Sequence, residues 1–115
     1  MSTHGDADQG FRIEQRGDAI LITAWGFWSA EFVPQFLPVV MAALEAKGKG
    51  GALTIDLKDL RPLRDEGQQA FKVLITKALA YATGGVELQG ASALTKLQML
   101  RLTRDLGAQD RIRVT

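Results

Sequence analysis

The chain has 115 residues and a formal net charge of +1, with 46% hydrophobic and 23% charged residues. This length and composition are typical of one globular domain, and the near-neutral charge argues against attraction to nucleic acid or membranes. Cysteine is absent and His4 is the only histidine, which excludes disulfides, thiol catalysis, a histidine metal cluster and a Ser-His-Asp triad within one chain. No apolar stretch approaches the roughly 18–20 residues of a membrane span. The polar start has no secretory leader, so we expect a cytoplasmic protein.

The N-terminal part is predicted to be a tail followed by a hairpin. Residues 1–10 are polar and rich in Gly and Asp, which predicts a disordered tail before a domain at residues 11–115. Two apolar runs, residues 11–15 and 19–25, flank a Gly-containing turn and indicate a β-hairpin. Ser29 is the expected N-cap of a first helix that reaches about residue 47.

The rest of the chain alternates strands and helices. Residues 53–57 form a short apolar run, typical of a central parallel strand covered by helices. A second helix is predicted at residues 66–83 and a strand at 86–89. A third helix follows at residues 93–106, capped by Ser92, with an apolar face of Leu94, Leu97 and Leu100, and a last strand covers residues 111–114. The order β-β-α-β-α-β-α-β predicts an α/β fold with a mixed, mainly parallel sheet flanked by helices.

Four stretches in this order resemble a STAS domain, the small fold of anti-sigma-factor antagonists and sulfate-transporter tails. They are Trp25-Gly26-Phe27-Trp28-Ser29 after the hairpin, Thr54-Ile55-Asp56-Leu57 in the central strand, Asp65-Glu66-Gly67 at a helix start, and Gln89-Gly90-Ala91-Ser92 before the Leu-rich third helix. The resemblance covers about residues 11–114. It implies a bacterial signalling module without enzymatic activity or cofactors.

The resemblance also implies where regulation occurs. In the antagonists a partner kinase phosphorylates a Ser or Thr that directly follows an Asp at the start of the second helix, and the kinase doubles as the anti-sigma factor. The matching residues here are Arg64-Asp65-Glu66-Gly67, so Asp65 stands at the phosphoacceptor position and Glu66 replaces the second hydroxyl. The usual phosphoswitch therefore cannot operate at this site.

Asp65 has two compatible interpretations. It is a helix N-cap, with Gln68 completing a capping box, or a fixed negative charge that imitates the phosphorylated state. Arg61 and Arg64 in the preceding loop either bind an acidic partner or a phosphate, or form a solvated turn. Of the aromatic cluster Trp25, Phe27 and Trp28, we expect Phe27 or Trp28 to be exposed as a partner contact, the alternative being that at least two of the three belong to the core.

We therefore predict a regulatory protein-interaction domain whose partner is a kinase-like anti-sigma factor or a scaffold protein. Its predicted contact residues are Phe27, Trp28, Arg61, Arg64, Asp65, Glu66 and Gly67. A small-molecule or lipid-binding module of the same fold is the alternative, and a homo-oligomer through the aromatic loop or a sheet edge is also open. No set of residues for catalysis or metal binding can be assembled, so an enzyme is disfavoured.

Overall fold

The computed structural model describes all 115 residues, in which strands and helices alternate after an antiparallel N-terminal part. In chain order the elements are β1 (Ser2–Gly5), β2 (Gln9–Arg16), β3 (Ala19–Gly26), α1 (Val33–Lys47), β4 (Leu53–Leu60), α2 (Asp65–Tyr81), β5 (Val86–Gln89), α3 (Ala93–Asp105) and β6 (Ile112–Val114). None of the helices combines the length and the apolar character needed to cross a bilayer.

The six strands form one sheet in the order in which they occur in the chain. The pairs β1–β2 and β2–β3 are antiparallel, and the three pairs from β3 to β6 are parallel. The predicted α/β fold with a mixed, mainly parallel sheet is confirmed.

All three helices lie on one face of this sheet. Each crossover advances by one strand in the same direction, and right-handed crossovers of this kind place successive helices on the same side. Strand β4 shows the consequence, because Leu53, Ile55 and Leu57 are buried while Thr54 and Asp56 between them are only partly buried. The apolar run of β4, which suggested a strand covered by helices on both faces, thus alternates between buried and partly buried residues.

The N-terminus differs from the prediction of a disordered tail at residues 1–10. Within this segment β1 pairs antiparallel with β2. The His4 ring stacks on Phe11, with centroids 4.9 Å apart. The turn between the strands is closed by Asp6, whose carboxylate accepts from two backbone N–H groups and whose carbonyl accepts from Trp25 Nε1 at 2.7 Å. Backbone pairing and these side-chain contacts order a segment whose composition alone indicated disorder.

Helix α1 begins later than its sequence suggests. Ser29 Oγ accepts from the backbone N–H of Phe32 at 3.3 Å, but residues 30–32 form a turn and the helix begins at Val33. Pro34 lies in the first helical turn, where a backbone N–H would have no partner within the helix, so proline costs no hydrogen bond there. Pro38 lies inside the helix. Ser29 therefore opens the turn before the helix and does not cap the helix itself.

An aromatic cluster fills the core between the sheet and the first two helices. Its members are Phe11, Trp28, Phe32, Phe36 and Phe71, with neighbouring ring centroids 4.7 to 6.1 Å apart. The Trp28 indole N–H donates to the Trp25 carbonyl at 3.1 Å, which satisfies its polar atom. Aromatic pairs in such geometries add about 0.5–1.5 kcal/mol each beyond the burial of their surface.

Helix α3 packs in the opposite orientation to the one predicted. Leu94, Leu97 and Leu100, expected as its buried face, are 64%, 58% and 44% exposed. The buried positions of the helix are Thr95, Met99, Leu102 and Thr103. The prediction was wrong because it ranked residues by hydrophobicity, whereas hydrogen bonds satisfy the hydroxyl groups of the two threonines and let a face with fewer leucines turn inward.

Candidate functional site

The ends of β3 and β4 bring the predicted site residues to one edge of the sheet. Gly26 pairs with Leu60, and the backbone N–H of Arg61 donates to the Gly26 carbonyl at 3.0 Å. Gly26 has a φ of +84°, and a Cβ there would lie 1.9 Å from the carbonyl oxygen of Asp8. Only glycine fits this close approach, which sets the direction in which the chain continues to Phe27.

The loop before α2 is held by polar side chains of α3. Gln98 forms two hydrogen bonds with the backbone of Leu63: its Oε1 accepts from the N–H at 2.7 Å and its Nε2 donates to the carbonyl at 2.8 Å. Gln68 Nε2 also donates to that carbonyl, at 3.0 Å. One turn away, Thr95 Oγ1 donates to the Leu60 carbonyl at 3.3 Å. Because both backbone groups of Leu63 are satisfied, the loop has a fixed course into α2.

The start of α2 differs from the predicted capping box. Arg64 occupies the N-cap position with an extended backbone, and Asp65 is the first helical residue without a capping hydrogen bond from its side chain. Gln68 donates instead to the loop, as described above. The interpretation of Asp65 as a helix cap is therefore wrong. The carboxylates of Asp65 and Glu66 still lie in the first turn, where the helix dipole favours negative charge.

Gly67 has a packing role in the same turn. It is buried, and a Cβ at this position would lie 2.8 Å from Leu63 Cδ2 and 3.2 Å from Leu63 Cβ. The absence of a side chain thus lets Leu63, which is only 4% exposed, cover the first turn of α2.

The exposed part of the site combines an aromatic ring with a guanidinium group. Phe27 is 45% exposed, and Arg64 Cζ lies 4.9 Å from the centroid of its ring, which is a cation–π contact. Arg61 is exposed in the same loop. Trp28, the other predicted contact residue, is 2% exposed and belongs to the aromatic core. Its predicted contact with a partner is corrected accordingly, because the turn after Gly26 directs only Phe27 outward.

The arrangement therefore presents a ring, two guanidinium groups and two carboxylates at one edge of the sheet. The predicted residues that come together are Phe27, Arg61, Arg64, Asp65, Glu66 and Gly67. Neither here nor elsewhere does the protein gather three or more histidine or acidic groups that could hold a metal ion. Aromatic and arginine side chains are enriched among residues that anchor protein partners.

Gln98 and Thr95 were missed by the sequence analysis, although they position the loop. The available signal was their spacing, because Thr95, Gln98 and Leu102 follow one another at three and four residues along α3. The leucines of the same helix follow a similar spacing and, as the more hydrophobic set, predict the opposite buried face.

No family model matches the sequence, and no curated protein matches it significantly. Solved structures do share the fold. One is the crystal structure of an anti-sigma factor antagonist from Mycobacterium paratuberculosis, with a TM-score of 0.64 and 16% identity over 93% of this chain and 85% of that one. Another is the anti-sigma factor antagonist SpoIIAA in its unphosphorylated form, with a TM-score of 0.64 and 14% identity over 91% of this chain and 87% of that one. The chain therefore has the STAS-like fold of these anti-sigma factor antagonists, as the resemblance in its sequence implied.

Proposed function

We propose that this chain is a non-enzymatic regulatory domain of the cytoplasm that binds a protein partner through the surface at the start of α2. The proposed partner is a kinase-like anti-sigma factor or a scaffold protein. The observation that carries the proposal is the state of Asp65, which is exposed at the first position of α2 and whose carboxylate forms no hydrogen bond or ion pair within the chain. Its charge is therefore available to a partner.

The position of Asp65 supports a fixed signalling state. In the resemblance to the antagonists it takes the place of the phosphorylated hydroxyl, and no Ser or Thr stands between Thr54 and Thr76. A phosphate carries about −1.5 to −2 charges and three acceptor oxygens, whereas a carboxylate supplies one charge and two oxygens. Asp65 thus imitates part of a phosphate, and its effect on binding cannot be removed by a phosphatase.

The contact between Phe27 and Arg64 gives the same surface a second recognition element. The guanidinium group of the exposed Arg64 lies over the exposed ring. An exposed cation–π pair contributes about 0.5–1 kcal/mol, enough to hold Arg64 in a preferred orientation without burying its donors. A partner can then contact the ring edge and accept hydrogen bonds from Arg64, while the negative charge of Asp65 opposes its binding.

Affinity capture from the protein's own cells tests the proposal. The bait proteins are the wild type, Asp65→Ser, Phe27→Ala and the matched control Asp110→Ser, which changes an exposed carboxylate outside the site. We expect Asp65→Ser to increase recovery of the partner, because it removes the permanent charge. Phe27→Ala should decrease recovery, and Asp110→Ser should leave it unchanged.

A kinase-like partner should also phosphorylate purified Asp65→Ser and not the wild type, as measured by mass spectrometry. Equal recovery with all four baits would remove the role of Asp65 and Phe27. Recovery of nothing above background with both the wild type and Asp65→Ser would contradict the proposed function as a whole.

The alternative of a small-molecule or lipid-binding module has no specific observation in its favour. The three surface depressions of the protein are open, and in each most of the lining residues are polar, charged or glycine. Native mass spectrometry of the purified protein tests for a bound ligand directly, because a retained ligand would add a defined mass to the chain.

A further inference from the structure

Helix α3 turns a row of leucines to solvent. Leu94, Leu97 and Leu100 are 64%, 58% and 44% exposed. These are the large aliphatic side chains of such exposure that share one helix or strand. Single exposed leucines are common on protein surfaces, but apolar groups clustered on one helical face indicate a contact surface. This face is separate from the surface at the start of α2.

The outward orientation of these leucines is fixed by contacts on the other sides of the helix. Gln98 is bound to the Leu63 backbone through both of its polar atoms, and the buried Thr95 donates to the Leu60 carbonyl. On the side toward α2, Asp105 forms an ion pair with Lys72 at 3.2 Å. A rotation that buried the leucines would break all of these bonds, so the leucines are displayed in the stable state of the fold.

The leucines continue into two arginines along one ridge of the helix. Leu94, Leu97, Arg101 and Arg104 are spaced by three, four and three residues, which is the spacing of a helix-to-helix contact seam. At 1.5 Å per residue the ridge is about 15 Å long. Its N-terminal half is apolar and its C-terminal half is cationic.

The charges on this face favour one kind of occupant. Arg101 and Arg104 are exposed and form no ion pair, and Asp105, which follows Arg104 in the sequence, is paired with Lys72. A second copy of α3 packed parallel to the first would place arginines against arginines. An antiparallel copy would place arginines against leucines. A membrane would have to accommodate two arginines within the contact ridge, although helices that lie on bilayers keep their cations on the opposite face.

We propose that α3 is a second docking surface, which binds an amphipathic helix of a protein partner. The contact face of that helix carries aliphatic side chains that pack on Leu94 and Leu97, followed by carboxylates that pair with Arg101 and Arg104. In this mode of recognition the apolar side chains bind the partner helix, and the adjacent charges fix the direction in which that helix runs. The proposal does not depend on the proposed role of Asp65.

A synthetic helical peptide tests this chemistry directly. The probe is a fluorescein-labelled, helix-stabilised peptide with two leucines and two glutamates at the same spacing of three, four and three residues. Its binding to the full chain is measured by fluorescence anisotropy. We expect saturable binding, weakened at least about tenfold by the double variant Leu94→Ser/Leu97→Ser and by the double variant Arg101→Glu/Arg104→Glu.

A charge exchange makes the test specific. A second peptide with lysines in place of the glutamates should fail to bind the wild type and should bind Arg101→Glu/Arg104→Glu. Asp65→Ser should bind the acidic peptide as the wild type does, which separates this surface from the one at α2. Because all four altered positions on α3 are exposed, circular dichroism and thermal unfolding should show that both double variants remain folded.

Other outcomes overturn the proposal. Absence of saturable binding of the acidic peptide to the wild type would do so, as would equal binding of the acidic and basic peptides. Sedimentation that reveals a dimer lost in Leu94→Ser/Leu97→Ser would assign the face to a second copy. Flotation with vesicles of anionic phospholipid that depends on the same leucines would assign it to a lipid surface.

Discussion

The double hydrogen bond between Gln98 and the Leu63 backbone is expected to stabilise the whole candidate site. We predict that Gln98→Ala lowers the free energy of unfolding by about 2 kcal/mol. The substitution leaves the Leu63 N–H without its partner at 2.7 Å, in a residue that is only 4% exposed. A buried donor without a partner destabilises a protein by about 1–3 kcal/mol. The loss at the Leu63 carbonyl contributes less to this destabilisation, because Gln68 still donates a hydrogen bond to it at 3.0 Å.

Urea unfolding of wild type and variant measures this difference, provided that both proteins have the same dependence of the free energy of unfolding on urea concentration. For a domain of this size about 2 kcal/mol corresponds to a decrease in Tm of about 8 °C. The matched control is Gln69→Ala, which removes an exposed glutamine of α2 and should change the free energy of unfolding by less than about 0.5 kcal/mol.

Amide hydrogen exchange gives the local counterpart of this prediction. The Leu63 amide should be protected in the wild type and in Gln69→Ala, and should exchange faster in Gln98→Ala than the loss of global stability explains. Two results would refute the reasoning: an effect of Gln98→Ala no larger than that of Gln69→Ala, or an unchanged exchange rate at Leu63.

Three further predictions concern packing and charge. Gly67→Ala should destabilise the protein by about 1–3 kcal/mol in thermal unfolding although alanine favours helices, because its Cβ meets Leu63 Cδ2 at 2.8 Å. In a Leu63→Ala background the same substitution should be less destabilising, and a stabilised single variant would contradict the packing. Trp28→Ala should cost about 3–5 kcal/mol, measured by urea unfolding, and a loss below about 1 kcal/mol would place the ring outside the core. The hydrogen bond to the Glu45 carboxylate raises the pKa of Lys77, so the stability that this pair adds is complete below the unfolded pKa of lysine and is lost as the pH rises through the folded one. Glu45→Gln should therefore lower the pKa of Lys77 in an NMR titration, and an unchanged pKa would exclude the pair as the cause.

Much of the fold could be predicted because local patterns and the final structure agree. The spacing of apolar residues locates all three helices, and short apolar runs locate the five strands from β2 to β6. Strict alternation of strand and helix then leaves few topologies, because consecutive parallel strands prefer right-handed crossovers. The grouping of the candidate site residues could be predicted as well. The carboxyl ends of neighbouring parallel strands, here β3 and β4, meet at one edge of the sheet.

The sequence by itself predicted the order of the elements from β2 to β6, the resemblance to a STAS domain and the correspondence of Asp65 to the phosphoacceptor position. The tertiary structure decided which side chains of each element face outward. Phe27 and Trp28 are adjacent and similarly hydrophobic, yet the turn at Gly26 exposes the first and buries the second. On α3 the leucines were the expected core, but hydrogen bonds from Thr95 and Gln98 to a loop more than thirty residues away turn them to solvent. Periodicity ranks residues within one segment, whereas orientation depends on partners distant in the chain, and only the folded structure brings those partners together.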